Sequence, residues 1–169
     1  KICAAVNDAP CLQASASTSR NEIREFLCGE PVARLTGHEF EGVKGVRNIC
    51  DAVHKLYARI KWQVSHAGIG VVHLSRSGIN DSLWHGYGRC KLVAFAAIPE
   101  IISAGKIAYH SPDWKGRGYE SFVLTAPIAI AGEAYCAFVI VNRMKDGYLR
   151  FYLHEVANLD ELKKRTRGF

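Results

Sequence analysis

From residue 106 to residue 156 the chain holds a period of two, with apolar and polar side chains alternating between short turn-like breaks. Successive side chains of a strand point to opposite faces, so this alternation fits pleated strands with a buried face. It predicts strands over 106–109, 119–126, 134–143 and 148–156, with Gly132 and Lys145-Asp146-Gly147 as hairpin turns. In the last of these, Leu149, Phe151 and Leu153 share one face and read as core. Tyr148, Arg150, Tyr152 and His154 share the other. Two phenols, a guanidinium and an imidazole in one row are costly to bury and suit a site that handles phosphate. Glu155 then points to the core side, an orientation that a bulge at Leu153 would reverse.

The first hundred residues carry a different period. Ser19 and Glu22 have capping-box spacing ahead of a short helix over 20–28, whose Ile23, Phe26 and Leu27 face inward and which Gly29-Glu30-Pro31 stops. Thr36 and Glu39 repeat the spacing, but glycines at 37, 42 and 45 keep that region a loop. The clearest helix spans 46–60, with Val46, Ile49, Val53, Leu56, Tyr57 and Ile60 in one stripe. A strand is expected over 68–74, a turn-rich stretch at 77–81 and a helix over 90–97. Pro99 cannot continue that helix and opens a new one ending at Gly105. Helices followed by short-linked strands imply an α+β fold: N-terminal helices packed on a curved antiparallel sheet of about four to five strands.

A chain of 169 residues can bury a core in a single domain. No apolar run approaches a membrane span, and no signal peptide opens the sequence. The first residue is Lys1 rather than Met, so the chain is expected to be a piece of a longer protein. Twenty-two basic against 16 acidic residues give +6, a balance that permits an anionic partner without demanding one. Residues 1–33 read as an extension with one short helix, 34–158 as the main domain and 159–169 as a basic tail. None of the six cysteines forms a C-x-x-C pair, which argues against a structural zinc. Cys50 and Cys136 lie in apolar segments as reduced core cysteines do, and a bridge among Cys3, Cys11 and Cys28 stays open.

Three constellations carry chemistry. His85-Gly86-Tyr87-Gly88-Arg89-Cys90-Lys91 sets an imidazole and two cations at a helix start, where phosphate is readily seated. Trp114-Lys115-Gly116-Arg117-Gly118-Tyr119 interleaves cations with rings, as a single-strand clamp does. The third is the polar row of the last strand, with Ser121 and Thr125 in phase on a neighbour and Arg143 able to lie beside Tyr148. The bland alternatives are a glycine-rich connector, a solvated basic loop and a sheet with one wet face. Metal-free RNA cleavage needs a base for the 2′-hydroxyl, an acid for the leaving 5′-oxygen and cations for the phosphoryl oxygens. Among the histidines, His85 and His154 stand beside glycine-rich or phenolic positions in separate elements. His38, His54, His66 and His73 look peripheral, and His110 stays open.

Taken in order, the motifs resemble a known family. They are Leu35-Thr36-Gly37-His38-Glu39-Phe40, Asp81-Ser82-Leu83-Trp84-His85-Gly86, the run from Lys91 to Ile102, Gly105-Lys106-Ile107, and Trp114 to Tyr119. Ala126-Pro127-Ile128, Gly132-Glu133-Ala134-Tyr135 and Phe151-Tyr152-Leu153-His154-Glu155-Val156 follow. Together, over about 34–156, they resemble a large polyvalent protein-associated domain of phage and mobile-element proteins. That domain is similar to the barnase–EndoU–colicin–RelE nuclease superfold. The resemblance implies a metal-independent RNase-like fold with its site on the sheet's open face. His85, Lys91, Thr125, Tyr152 and His154 then become the catalytic candidates. His154 and His85 would be the acid/base pair, Lys91 and Arg143 phosphate ligands, and Tyr152 and Thr125 orienting hydroxyls. Arg89, Lys115, Arg117, Tyr119 and Arg150 join Arg143 as substrate contacts, with Tyr148 beside them.

The expected activity is endoribonucleolytic, without metal or cofactor, in a toxin or effector domain of a larger phage-borne or polymorphic-toxin protein. RNA (tRNA among the candidates) and a cognate immunity protein are the expected partners, and no membrane is. Action is expected in the bacterial cytoplasm after delivery from outside. An ADP-ribosyltransferase-like enzyme using Glu155 or Glu133 is one alternative, and a non-catalytic nucleic-acid-binding or docking module another.

Overall fold

The computed structural model describes residues 18–165. Among them are helices α1 (Arg20–Leu27), α2 (Val46–Ala58), α3 (Arg76–Trp84), α4 (Arg89–Ala94), α5 (Ile98–Ala104) and α6 (Leu159–Arg165). The strands are β1 (Ala33–Leu35), β2 (Gln63–His66), β3 (Gly70–His73), β4 (Lys106–Ser111), β5 (Glu120–Ile130), β6 (Glu133–Arg143) and β7 (Leu149–Asn158). Ser19 and Glu22 close the expected capping box of α1. Pro99 stands in the first turn of α5, where its missing N–H costs nothing. The helix expected at the end of that stretch tightens into a 3-10 turn at Phe95–Ala97.

All seven strands join one sheet in the order β1-β5-β6-β7-β3-β2, with β4 also paired to β5. The β4-β5-β6-β7 meander is antiparallel, as alternation and short turns require. The sheet is nevertheless mixed and larger than expected, because β1 runs parallel to β5 and β3 parallel to β7. β1 and β2, which were not expected, are only three and four residues long, too short for a periodic signal, whereas β3 lies within the strand expected over 68–74. β1 and β4 share one edge of β5, and Pro127 stands between their stretches, after Thr125 (paired to Lys106) and before Ile128 (paired to Ala33). Its carbonyl accepts from Val32 N–H on that edge, so its absent N–H falls at the seam between the two partners.

The sheet is covered on both sides. On the first face, α2, α3, α4 and α5 bring Ile49, Tyr57, Ile79, Val93 and Ile101 against Leu124, Ile128, Val139, Val141 and Phe151. On the second, Leu27 of α1 with Leu159 and Leu162 of α6 pack on Val123, Cys136, Phe138, Ile140 and Leu153. Burial of both faces explains why β5 is apolar almost without interruption. The expected basic tail therefore begins with a helix, capped by Asn158 Oδ1 and seated on the second face. Cys50 and Cys136 are buried as expected, whereas the open pairing of Cys3 and Cys11 lies outside the described residues.

The turn-rich stretch at 77–81 is helical, which corrects the expectation there. Its Ser-Gly-Asn-Asp composition is poor for a helix. Tertiary packing overrides it, since Gly78 lies against β7 where a Cβ would sit 2.2 Å from the Phe151 carbonyl oxygen. Gly78→Ala should therefore cost about 3 kcal/mol in urea unfolding, the upper end for overpacking. Gly88→Ala, with nothing within 4 Å of its added methyl, should stay within about 0.5 kcal/mol.

Candidate functional site

The polar row of β7 does not survive as one row. Ile140 pairs with Leu153 and Val141 with Phe151, so Tyr152 is an extra residue, a β-bulge. Beyond it the faces exchange. Leu149, Phe151 and His154 look to the first face, whereas Leu153 joins the second. Period-two reading cannot see such an insertion, because every residue after it changes side.

The bulge sends His154 into the protein, where it is wholly buried. Helix α4 tightens at Phe95, whose N–H turns to Leu92, and Lys91 C=O accepts from His154 Nε2–H at 2.7 Å instead. Ser82 Oγ–H donates to Nδ1 at 2.8 Å while the same oxygen accepts the His154 backbone N–H at 3.1 Å. The Phe95 ring lies edge-on at 4.4 Å. Burial, the largest influence, holds the imidazole neutral and depresses its pKa to about 3. With both ring nitrogens engaged, His154 ties α3, α4 and β7 together. That geometry corrects the expected acid/base role, since no substrate proton can reach either nitrogen.

Lys91 is 6 % exposed, its Nζ donating to Ser82 O and to Glu155 Oε1, each at 3.0 Å. It neutralises a half-buried carboxylate and is not presented to a phosphate. Thr125 is fully buried, its Oγ1 donating to Ala137 O at 3.0 Å within the sheet. Neither fits the expected part. His85 and Tyr152 do meet, Nε2 and hydroxyl 3.3 Å apart with rings at 75°. Trp84 beside them is 83 % exposed. Arg89 reaches instead toward Gly37 O, lining a cavity of about 220 Å³ with His38, Phe40 and Glu41. Lys115 lies over the Trp114 ring at 5.2 Å, Arg117 is exposed and Tyr119 half-buried. Arg150 pairs with Asp146 at 2.6 Å.

A second cluster forms where β4, β5 and β6 end together. Glu120 accepts from Arg143 Nε through Oε2 and meets His110 Nε2 through Oε1, both at 2.7 Å. The imidazole stacks on Phe122, 4.6 Å away and 8° from parallel, and the Arg143 guanidinium lies 5.9 Å from the same ring. The three polar side chains keep between 28 and 37 % exposure. Glu120 thus fixes two neighbours through separate oxygens, and Arg143 Nη1 reaches on to Gly147 O at 3.5 Å. Arg143 was singled out from the sequence as a candidate substrate contact. Glu120 was not, because only the register sets it between His110 and Arg143.

His154→Ala should cost about 3 kcal/mol at pH 7, from the cavity and from the orphaned Ser82 hydroxyl and Lys91 carbonyl. The sign of the pH effect follows from the depressed pKa. The contribution of neutral His154 is complete above about 6.5 and is lost as pH falls toward 3. Urea midpoints measured from pH 7 to pH 3 should therefore fall less steeply in His154→Ala than in the parent.

Among the described residues, no helix is long and apolar enough to cross a membrane. Searches of curated proteins and of solved structures each returned no match. A family model, large polyvalent protein-associated domain 3, matches residues 44–152, from the approach to α2 through the bulge in β7. That span includes the His85–Tyr152 pair, the His110–Glu120–Arg143 cluster and more than half of the 169 residues, and the chain belongs to this family of large polyvalent protein-associated domains.

Proposed function

We propose that this domain cleaves RNA by metal-independent attack of the 2′-hydroxyl, at the His110–Glu120–Arg143 cluster. One observation carries the reading: a carboxylate on one of three adjacent strand ends holds an imidazole and a guanidinium from the other two, each within hydrogen-bond distance of it and partly open to solvent. Glu120 takes the 2′-hydroxyl proton, and the 2′-oxygen bonds to phosphorus as the bond to the 5′-oxygen breaks. Protonated His110 gives its proton to the departing 5′-oxygen, leaving a 2′,3′-cyclic phosphate and a free 5′-hydroxyl. Arg143 balances charge on the non-bridging oxygens. Histidine is suited to the acid task near neutral pH. The superfold expected from sequence would run the same reaction, and the net charge of +6 favours a polyanion.

In this reading the acid/base pair moves from His85 and His154 to Glu120 and His110. Among the described residues, the cations that the sequence sets near the His85–Tyr152 pair turn elsewhere: Lys91 is held by Glu155 and Arg89 reaches toward Gly37 O. A toxin or effector module within a larger polyvalent protein, acting on cytoplasmic RNA and held in check by a cognate inhibitor, is the biological role that this chemistry fits.

The test is incubation with mixed RNA in EDTA, reading 2′,3′-cyclic phosphate ends by sequencing, with circular dichroism confirming the fold of each variant. Glu120→Gln and His110→Ala should each lose at least about 100-fold, while His85→Ala should stay within about threefold of the parent. Activity should decline at both acid and alkaline pH, because the base must be ionised and the acid protonated. Loss in His85→Ala with Glu120→Gln unaffected would return the site to the α3–β7 pair. No cleavage by folded parent protein would sink the reading.

A further inference from the structure

Strand register sets six polar residues side by side across the sheet. Ser111 of β4 pairs with Ser121 of β5, Ser121 with Asn142 of β6, and Asn142 with Arg150 of β7. Arg150 pairs with His73 of β3, and His73 with Gln63 of β2. Paired residues project to the same side of a sheet, here the second face. The next row inward on that face, Tyr109, Val123, Ile140 and Leu153, is apolar. Within the polar row, Ser121 is 1 % and Asn142 7 % exposed, yet Ser121 Oγ and Asn142 Oδ1 have no hydrogen-bond partner among the described residues. Two neighbouring buried polar groups without partners oppose folding, and a row built for stability alone would carry Val and Leu there.

The rest of the row says what would satisfy them. Asn142 Oδ1 accepts only, and Ser121 can accept or donate, so both answer to a planar group edged with N–H and acceptor nitrogens. One and two strands further lie Arg150 and His73, about 5 and 10 Å away at the spacing of neighbouring strands; Arg150 spends Nη2 on Asp146 at 2.6 Å, and its remaining donors and the imidazole answer to an anion. Rings stand at each end. Tyr148, 56 % exposed, sits edge-on to His73 at 5.2 Å, and Trp114 sits edge-on to Tyr109 at 6.4 Å. A planar hydrogen-bonding head, a ring platform and an anion at that separation describe a nucleotide.

We infer that the Ser121–Asn142–Arg150–His73 row binds one nucleotide unit, its base edge on Ser121 and Asn142 and its phosphate on Arg150 and His73. This site lies on the opposite face from the His110–Glu120–Arg143 cluster, back to back with it across β5 and β6, and does not depend on cleavage. The loop carrying Trp114 joins β4 to β5 at this end of the row and is braced by bonds of its own, Trp114 N–H to Tyr119 O and Gly118 N–H to Asp113 Oδ1. The base reaches Ser121 Oγ and Asn142 Oδ1 when the groups that bury them yield.

Binding is measured on the full chain carrying Glu120→Gln, so that failure of cleavage and failure of this site stay separate. The probes are AMP, GMP, a short oligoribonucleotide and inorganic phosphate, followed by calorimetry and by the side-chain amide signal of Asn142 in NMR spectra. Saturable binding of a nucleotide is expected, at least tenfold tighter than phosphate, with the Asn142 signal shifted. Asn142→Leu and Ser121→Ala should weaken it at least tenfold while unfolding at the same or higher temperature. Equal affinity for AMP or GMP and the oligonucleotide identifies a free nucleotide as the ligand, and tighter binding of the oligonucleotide identifies a single strand. No saturable nucleotide binding, phosphate binding as tightly as nucleotide, or unchanged affinity in both variants would overturn the site and leave the row as the seat of buried water.

Discussion

Everything in this domain hangs on how closely α3 lies against β7. At Gly78 the helix backbone meets the Phe151 carbonyl with no room for a methyl group. One turn later Ser82 gives its hydroxyl to His154 and receives the backbone N–H in return. His154 then reaches on to the carbonyl that α4 leaves free at Lys91. Three elements are thereby locked by side chains that carry no net charge in the folded state. The buried Lys91–Glu155 pair beside them is tolerated because Lys91 also bonds Ser82 O, so the ammonium is not left to one partner.

The locking has a consequence for the sheet. With α3 seated over Phe151, β7 cannot continue in plain alternation and still bring His154 inward, and the extra residue at Tyr152 reconciles the two. The bulge turns a polar stripe into two separate things: a structural histidine inside and a phenol outside, against His85. It also leaves Arg150 in the row with Asn142 and His73, ahead of the exchange of faces.

What was legible in the chain followed local rules. The capping box at Ser19, the stripe of α2, the proline opening α5 and the alternation of β4 to β7 each have a cause within a few residues. What was illegible had causes distant in sequence. α3 is helical against its composition because Phe151 accepts it, β1 is a strand because β5 offers it an edge, and β3, expected as a strand, takes its parallel partner β7 from far along the chain. The histidines show the same division. His154 has the company of Tyr, Arg and Glu in sequence but is buried by a bulge, whereas His110 stands in an ordinary strand and acquires Glu120 and Arg143 through register. Neighbours along the chain were therefore a poor guide to neighbours across it.

Pro127 bears on how such a sheet can be made at all. A long, wholly buried strand with one bare edge is a template for pairing with another molecule. On β5 that edge is divided between β1 and β4, and the residue at the division has no N–H to offer a foreign strand. Both covering strands precede β5 in the chain, so during synthesis they already exist when the sticky edge emerges. The order of the elements thus guards the nascent protein against its own most apolar segment.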